Sequence, residues 1–507
     1  MRINHVKWGI VLAYVLMMLN AIYGFVVTPI LIKYAGSGDY GVYKTISSLT
    51  SSILILDLGL GDTTMRYVAK FIASREKNRI NGFLSMILTI ALCLCGLVSV
   101  VCFCVSFFIS PLYRGTFSTE QLSLSRIVFL FCSINILVHI ISNVFNGVIS
   151  GFNKFVLSHS ISLAKILARA IFGVCVVVAT HNILLFVVVD LIISVICLLI
   201  EVFCVLFGCQ TRIAFTKWDK ALFREAFRFS FLMFLSAVAS QVCSNLDNIV
   251  IGSYCGPDFV TVYSVCLIIF VMFGNISCAV SGVMLPTITN LINNSDEEGV
   301  IKLLIKVGRL QFILLSACIV GFAILGRDFL NIWLGEGFDD AYIITLILIV
   351  PSIFEYCINT ALSILKAKNL LGFRTFALGL ACLLNLAVTI VLVKSWSYIG
   401  AAIGTSVTYL VCSLIMMNIY YSRKLKLPMF RIYRGIIRKL WLCLLVPSVI
   451  LLVQSLLLGT SVFNFAREVL LFCVIYAICL LTFGLDYEEK IRIPIVGRFF
   501  EKKELLK

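Results

Sequence analysis

The sequence is poor in charge, proline and histidine. Only 13% of its 507 residues are charged, whereas soluble domains carry about a quarter. The 8 prolines and 4 histidines are scattered, and the 20 cysteines show no zinc-ligand spacing. The chain contains no P-loop, no His-Glu-x-x-His and no Gly-x-Ser-x-Gly pattern. These deficits argue against a soluble enzyme and a single-chain ATP-driven pump, and no catalytic residue, metal or cofactor is predicted.

Long apolar runs are abundant instead. Apolar residues make up 61% of the chain, and the mean hydropathy is +1.07. Because a spanning helix needs about 20 apolar residues, these runs predict an all-α polytopic membrane protein with about 14 spans. Bounded by charged and turn residues, the predicted spans are 9–32, 42–61, 83–109, 126–149, 156–179, 183–207, 227–252, 259–285, 309–326, 342–365, 375–393, 398–420, 440–458 and 466–484.

The net charge of +16 follows this topology. Most of the 41 lysines and arginines fall in loops that the span order places on the side of the N-terminus. Loops rich in Lys and Arg lie in the cytoplasm, so both termini are predicted to be cytoplasmic. The positive charge is thereby explained as a topology signal with some attraction to anionic lipid, and no nucleic-acid partner is predicted.

The spans group into two lobes. Residues 1–208 form a predicted N-terminal lobe of six helices, and 227–421 form a second six-helix lobe. A basic amphipathic segment, 209–226, joins them as a predicted cytoplasmic linker. Two additional helices are predicted in 422–485, followed by a cytoplasmic tail, 486–507.

A weak internal repeat supports this division. Gly36 and Tyr43 align with Gly256 and Tyr263 at a constant offset, each pair in a short outer turn between the first two spans of its lobe. Both lobes begin on the cytoplasmic side, so the repeat is parallel, with its pseudo-axis along the membrane normal.

Two cations lie one turn apart inside the fifth span. At about 1.5 Å per residue, Lys165 and Arg169 lie deep in the span, so their charges must face protein or water. One interpretation pairs them with Asp190 and Glu201 of the sixth span as a structural network. The other places them at a wet cavity, where ammonium and guanidinium groups suit phosphate oxygens.

Four titratable groups inside spans are candidates for ion or proton coupling: Asp57, His139, Asp247 and Glu355. Each has an alternative. Asp57 could pair with Arg66 or cap a helix, Asp247 could be solvated near the end of its span, and His139 and Glu355 could form buried hydrogen-bonded pairs.

Several stretches resemble Wzx-type oligosaccharide flippases, the polysaccharide branch of the superfamily that includes the multidrug and toxin extruders. The resemblance runs from about residue 8 to 425. The residues that carry it are Thr28–Tyr43, Leu56-Asp-Leu-Gly-Leu-Gly61, Arg66-Tyr-Val-Ala-Lys70, Asp247-Asn-Ile-Val-Ile-Gly252 and Ile399-Gly-Ala-Ala-Ile-Gly404. Within the last motif, Gly400 and Gly404 also form a small-residue face that predicts close helix packing.

This resemblance implies two six-helix lobes around a central cavity, with two C-terminal helices added. It implies a bacterial inner-membrane flippase that moves polyprenyl-pyrophosphate-linked oligosaccharide to the outer leaflet for O-antigen, lipopolysaccharide or other surface polysaccharide. A polysaccharide polymerase and a chain-length regulator are candidate partners. The family's cavity is commonly cationic, and our candidate substrate-binding residues, chosen by chemistry and depth, are Lys33, Lys165, Arg169, Lys366, Asn146 and Asn359.

Alternatives remain at this point. An ion-coupled drug extruder of the same fold would use a more apolar or acidic cavity. A membrane-embedded glycosyltransferase or polymerase would need acidic residues in a sizeable outer loop, and the first outer turn holds only Asp39.

Overall fold

The computed structural model describes most of the chain, and every regular element in that part is a helix. The described residues are 2–211, 223–225, 230, 234, 245–282, 284–368, 370, 372–438, 440–457 and 462–485. Most of the predicted linker 209–226, and the tail 486–507 in full, lie outside them.

Eight α-helices precede the linker. They are α1 (Arg2–Ala35), α2 (Ser37–Ile53), α3 (Leu60–Ala73), α4 (Lys77–Tyr113), α5 (Thr119–Gly151), α6 (Phe155–Ala168), α7 (Val174–Thr180) and α8 (Ile183–Phe203). A 3₁₀ turn, Leu54–Asp57, lies between α2 and α3, and π-helical turns continue α6 at Arg169–Gly173 and α8 at Cys204–Gly208.

The remaining helices begin with α9, of which residues 245–254 are described. They continue with α10 (Pro257–Gly282), α11 (Leu285–Asn293), α12 (Glu297–Leu334), α13 (Asp339–Tyr356), α14 (Ala361–Ala367), α15 (Gly372–Thr408), α16 (Met417–Lys424), α17 (Met429–Ile437), α18 (Leu440–Leu457) and α19 (Val462–Cys479).

Nine helical segments of the described chain are long and apolar enough to cross a membrane, or ten if the bent pair α13 and α14 counts as one span. The predicted all-α polytopic membrane fold is thus confirmed. The number is below the predicted fourteen in part because the span 42–61 is divided between the short helices α2 and α3, and because the run Gly372–Lys424 counts once although it is kinked. Much of the predicted span 227–252 lies outside the described residues.

The second predicted span, 42–61, is wrong at its inner end. Helix α2 stops at Ile53, and α3 begins at Leu60 and runs on to Ala73. Between them Leu58 (φ 55°) and Gly59 (φ 61°) adopt left-handed backbone, which ends a right-handed helix. The span is therefore broken in two, with Asp57 at the break.

Contacts divide the chain into two compact units. Unit 1 comprises Met1–Ile268 and Leu378–Gly404, and unit 2 comprises Ile269–Ala377 and Thr405–Lys507. The compact units are defined by contacts within the fold, whereas the lobes were predicted from the order of the spans and the sequence repeat. The lobe boundaries therefore remain a prediction from the sequence.

Within unit 1, the two repeat-related turns pack against each other. Gly36 (φ 91°) and Gly256 (φ 110°) have backbone that favours glycine. The Thr261 hydroxyl donates to the carbonyl of Ser37 at 2.6 Å, and the Ser37 hydroxyl donates to Asp258 at 2.5 Å. The turns that align in sequence are thus joined by hydrogen bonds.

Helix α15 is a hairpin of two helices that turns at Trp396 and Ser397, where the backbone is not helical. A Cβ added at Gly400 would lie 2.3 Å from the Leu392 carbonyl oxygen on the opposite arm. One added at Gly404 would lie 2.8 Å from the Thr389 hydroxyl. The predicted packing face is confirmed, since only glycine allows this approach.

We expect Gly400→Ala to destabilise the protein, because the added methyl group meets backbone that cannot rotate away. Overpacking of this kind costs about 1–3 kcal/mol. The thermal unfolding midpoint of the purified protein would fall. The matched control is Gly379→Ala in the same hairpin, where no atom lies within 4 Å of the new Cβ. Equal midpoints for the two variants would contradict the close packing.

A buried cation in unit 2 joins α12 to α17 and to the π-helical turn Leu480–Gly484 that follows α19. Arg309 is 5% exposed and donates to the carbonyls of Gly435, Arg438 and Gly484 at 3.3, 3.1 and 2.7 Å. These carbonyls lie at the C-terminal ends of α17 and of the π-turn after α19, where helix dipoles favour positive charge.

Candidate functional site

Polar residues of α5, α6 and α8 meet inside unit 1. Glu201 of α8 accepts hydrogen bonds from the Ser142 hydroxyl at 2.5 Å and the Asn146 amide at 3.4 Å. The Asn146 oxygen in turn accepts from the Ser158 hydroxyl of α6 at 2.7 Å. The helices present these groups on one side because residues three and four apart share a helical face.

Lys165 of α6 lies beside this cluster without a partner. It is half-buried, and it forms no hydrogen bond or ion pair with any residue of the described ranges. Its charge interacts with Glu201 and His139 through space. The clamp of Lys165 by Glu201, one of the two sequence interpretations, is therefore not formed as a direct contact.

Arg169 has a counter-ion. Its guanidinium donates to Asp190 at 2.6 Å, and the Asn135 amide donates to the same carboxylate oxygen at 3.0 Å. The guanidinium also lies over the rings of Tyr23 and Phe186, 5.8 and 5.9 Å from their centroids. The ion-pair interpretation thus holds for Arg169, and the two neighbouring cations differ in their environment.

A third cation, close to Arg169, was not among the residues predicted for the site. Lys44 of α2 lies over the rings of Tyr40 and Tyr43, at 5.5 and 6.0 Å, and its charge interacts with that of Arg169. The sequence feature that could have identified Lys44 is a pair of aromatic residues, one adjacent to Lys44 and one a helical turn before it.

The helix break between α2 and α3 brings an acid to the polar face of α5. The Asn143 amide lies 3.1 Å from Asp57 Oδ2 and 3.2 Å from His139 Nδ1, so it links two of the predicted coupling residues. Asp57 Oδ1 is buried and has no hydrogen-bond partner in the described residues. Asn143, rather than Arg66, is the partner of Asp57.

Unit 2 contains a comparable break between α13 and α14, where the helix axes bend by 52°. Glu355 lies just before the break, contacts the Tyr409 hydroxyl, and has its Oε2 buried without a partner among the described residues. Asn359 lies in the break, with its amide 3.4 Å from the Ser277 hydroxyl. Lys366 is exposed in the last turn of α14.

The remaining two predicted residues have different surroundings. Asp247 of α9 is 3% exposed and accepts a hydrogen bond from Tyr263 at 2.5 Å, so the interpretation that it is solvated is wrong. Lys33 is exposed in the last turn of α1, with its ammonium over the Tyr34 ring at 5.6 Å.

Two solved structures share this fold at low sequence identity. A structure described as the lipid II flippase MurJ in an inward closed conformation is 16% identical, with a TM-score of 0.71 over 93% of this chain and 98% of that one. An inward-facing multidrug resistance MATE family transporter of the MOP superfamily is 13% identical, with a TM-score of 0.65 over 83% and 99%. No curated protein matches the chain.

A match to a protein-family model shows the family to which the chain belongs. The model described as "Polysaccharide biosynthesis protein" matches residues 7–292, more than half of the chain. This range includes Asp57, at the break between α2 and α3, and the three cations Lys44, Lys165 and Arg169. The chain is a multi-pass membrane protein that belongs to the polysaccharide biosynthesis protein family.

Proposed function

We propose that this protein is a flippase for polyprenyl-pyrophosphate-linked oligosaccharide repeat units. It would take them from the inner leaflet of the bacterial cytoplasmic membrane and release them in the outer leaflet by alternating access. The units would serve O-antigen, lipopolysaccharide or related surface polysaccharide, with a polymerase and a chain-length regulator acting on the product. The protein would perform no chemistry on the substrate.

The observation that carries this proposal is Lys165, a cation within a span that has no partner in the described residues. Placing a charge in a membrane helix costs about 2.5–3.5 kcal/mol on insertion scales, so such a residue needs a polar or charged partner. A pyrophosphate group supplies the opposite charge and several acceptor oxygens. Lys44 adds a second positive charge on the same unit, which helps to offset the cost of moving the diphosphate through low dielectric, whereas the charge of Arg169 is balanced by Asp190.

The surroundings also suit an oligosaccharide. Amide and hydroxyl groups such as Asn146 and Ser158 donate and accept hydrogen bonds as sugar hydroxyls require. Tyr23 and Tyr43 add aromatic surface next to Arg169. Lys33, Lys366 and Asn359 remain proposed contacts, and the polyprenyl tail would stay in lipid.

Coupling is proposed at the two broken spans. Asp57 and Glu355 each keep one carboxylate oxygen buried without a partner in the described chain. Discontinuous helices commonly hold ions or protons in transporters. His139, linked to Asp57 through Asn143, and buried Asp247 are further candidates.

We expect Glu355→Gln to remove the dependence of transport on an imposed proton or sodium gradient while leaving gradient-free exchange of substrate. The amide preserves the shape of the side chain and the contact with Tyr409, but it carries no charge to neutralise. Uptake into proteoliposomes with and without the gradient measures this. The control is Glu336→Gln in the exposed outer turn after α12. An unchanged gradient dependence would exclude Glu355 from coupling.

The function itself is tested in proteoliposomes that contain the full-length protein and fluorescent lipid-linked oligosaccharide. Appearance of the sugar on the opposite leaflet, read by a membrane-impermeant lectin or quencher, is the expected result. Extrusion of cationic dyes without sugar movement would favour the drug-extruder alternative. Formation of longer sugar chains would favour a membrane enzyme.

A further inference from the structure

A groove between α4 and α5 opens along the outside of unit 1. Its cavity volume is about 630 Å³. Its walls include Phe103 and Phe107 of α4 and Leu130 of α5, which are 65, 63 and 58% exposed. Large apolar side chains that are this exposed on spanning helices face lipid.

One end of the groove carries a charge. Arg126 of α5 lines it, and its Nε donates to the Ser110 hydroxyl of α4 at 2.8 Å. Arg126 is exposed, and no carboxylate of the described residues pairs with it. The rest of the guanidinium is therefore open to an acceptor from outside the chain.

The depth of Arg126 decides what that acceptor is. Helix α5 has 33 residues, about 50 Å, whereas the hydrocarbon core is about 30 Å thick, so a centred helix extends about 10 Å beyond it at each end. Arg126 lies seven residues from Thr119, also about 10 Å from the end. It is thus placed at the boundary where lipid phosphates begin, on the side that the charge distribution makes the outer leaflet.

The length of the groove matches one hydrocarbon chain. From Arg126 it continues along α5 to Leu137, about 16 Å, which is close to the thickness of one leaflet. The lining is apolar apart from Arg126 and four serine hydroxyls, of which those of Ser99 and Ser106 donate to carbonyls of their own helix.

We propose that this groove binds one phospholipid of the outer leaflet, with its phosphodiester on Arg126 and one acyl chain between α4 and α5. The lone guanidinium complements the phosphate, and a charge-assisted, bidentate contact of this kind is the strong form of such a hydrogen bond. The site is separate from Lys165 and from the proposed translocation of oligosaccharide, because α4 and α5 present it to lipid.

The test uses the full-length protein in nanodiscs with phosphatidylglycerol that carries a photoreactive group on its acyl chain. Illumination is expected to label peptides from 99–110 and 126–137. Arg126→Gln should lower the yield about tenfold, which is the loss expected for one charge-assisted contact. Arg126→Lys should retain most of it, and Ser106→Phe, which fills the groove, should abolish it.

The matched control is Arg114→Gln, an exposed arginine at the end of α4 that does not line the groove. Its labelling should equal that of the unchanged protein. Equal labelling in Arg126→Gln would overturn the proposal. So would displacement of the label by undecaprenyl phosphate at a lower concentration than by unlabelled phosphatidylglycerol, since that would make the groove a site for the polyprenyl carrier.

Discussion

Arg169→Gln is expected to lower the free energy of unfolding by about 3 kcal/mol, near the lower end of the cost of breaking a buried ion pair. The physical reason is Asp190, whose side chain is only 8% exposed and would keep the Asn135 amide as its one side-chain donor among the described residues. The side chain of Arg169 keeps 31% exposure, which limits the loss. Membrane-inserted protein level and thermal unfolding in detergent measure the effect.

A second substitution separates the ion pair from substrate binding. Asp190→Asn in the Arg169→Gln background removes the unpaired charge, so protein level and unfolding midpoint should recover. Transport would remain impaired only if Arg169 also contacts substrate. If Arg169→Gln alone leaves stability unchanged, the pair with Asp190 contributes nothing to folding.

Lys165→Gln is expected to reduce flipping of lipid-linked oligosaccharide by about 10- to 100-fold, with the amount of folded protein unchanged. A charge-assisted hydrogen bond contributes about 1.5–3 kcal/mol, which is this range of rate or affinity. No counter-ion is orphaned, because Lys165 pairs with no described residue. Surface polysaccharide in cells and sugar translocation in proteoliposomes report the loss.

The control for charge alone is Lys302→Gln, at an exposed position of α12. It makes the same change in net charge and should transport normally. Lys165→Arg keeps a phosphate-binding cation and should retain partial activity. Normal flipping by Lys165→Gln would remove the main support for a diphosphate substrate. Failure of Lys165→Gln to accumulate would instead indicate a structural role.

These two expectations differ although the residues are one helical turn apart. In the sequence, Lys165 and Arg169 formed a single feature with two interpretations, both drawn for the pair. The structure separates them because Asp190 reaches only Arg169, while Glu201 is occupied by Ser142 and Asn146. Whether a side chain reaches a partner on a neighbouring helix cannot be deduced from the spacing of residues along the sequence.

The fold class could be predicted from the sequence. Apolar runs of about 20 residues must form helices in lipid, because unpaired backbone groups cannot remain there. The helices α4, α5 and α8 overlap the predicted spans 83–109, 126–149 and 183–207, and α4 and α5 extend beyond theirs at both ends. The packing face at Gly400 could also be predicted, since small residues at four-residue spacing allow two helices to approach each other closely.

The broken spans could not be predicted, because they depend on what surrounds them. Nothing about Leu58 in isolation requires left-handed backbone, yet the fold places it there. The result brings Asp57 against Asn143 of α5, a contact between residues far apart in sequence. Lys44 was missed for the same reason, since its relation to Arg169 exists only in the folded chain.

The amino-acid sequence by itself determined that this chain is a membrane protein and that its spans are helical. It also determined which loops carry the positive charge. Those properties depend on composition and on local hydrogen bonding, which each segment carries with it. Tertiary packing alone decided which buried charges are paired within the described part of the chain and which are not. Pairing is a matter of distance between segments, and only folding sets that distance.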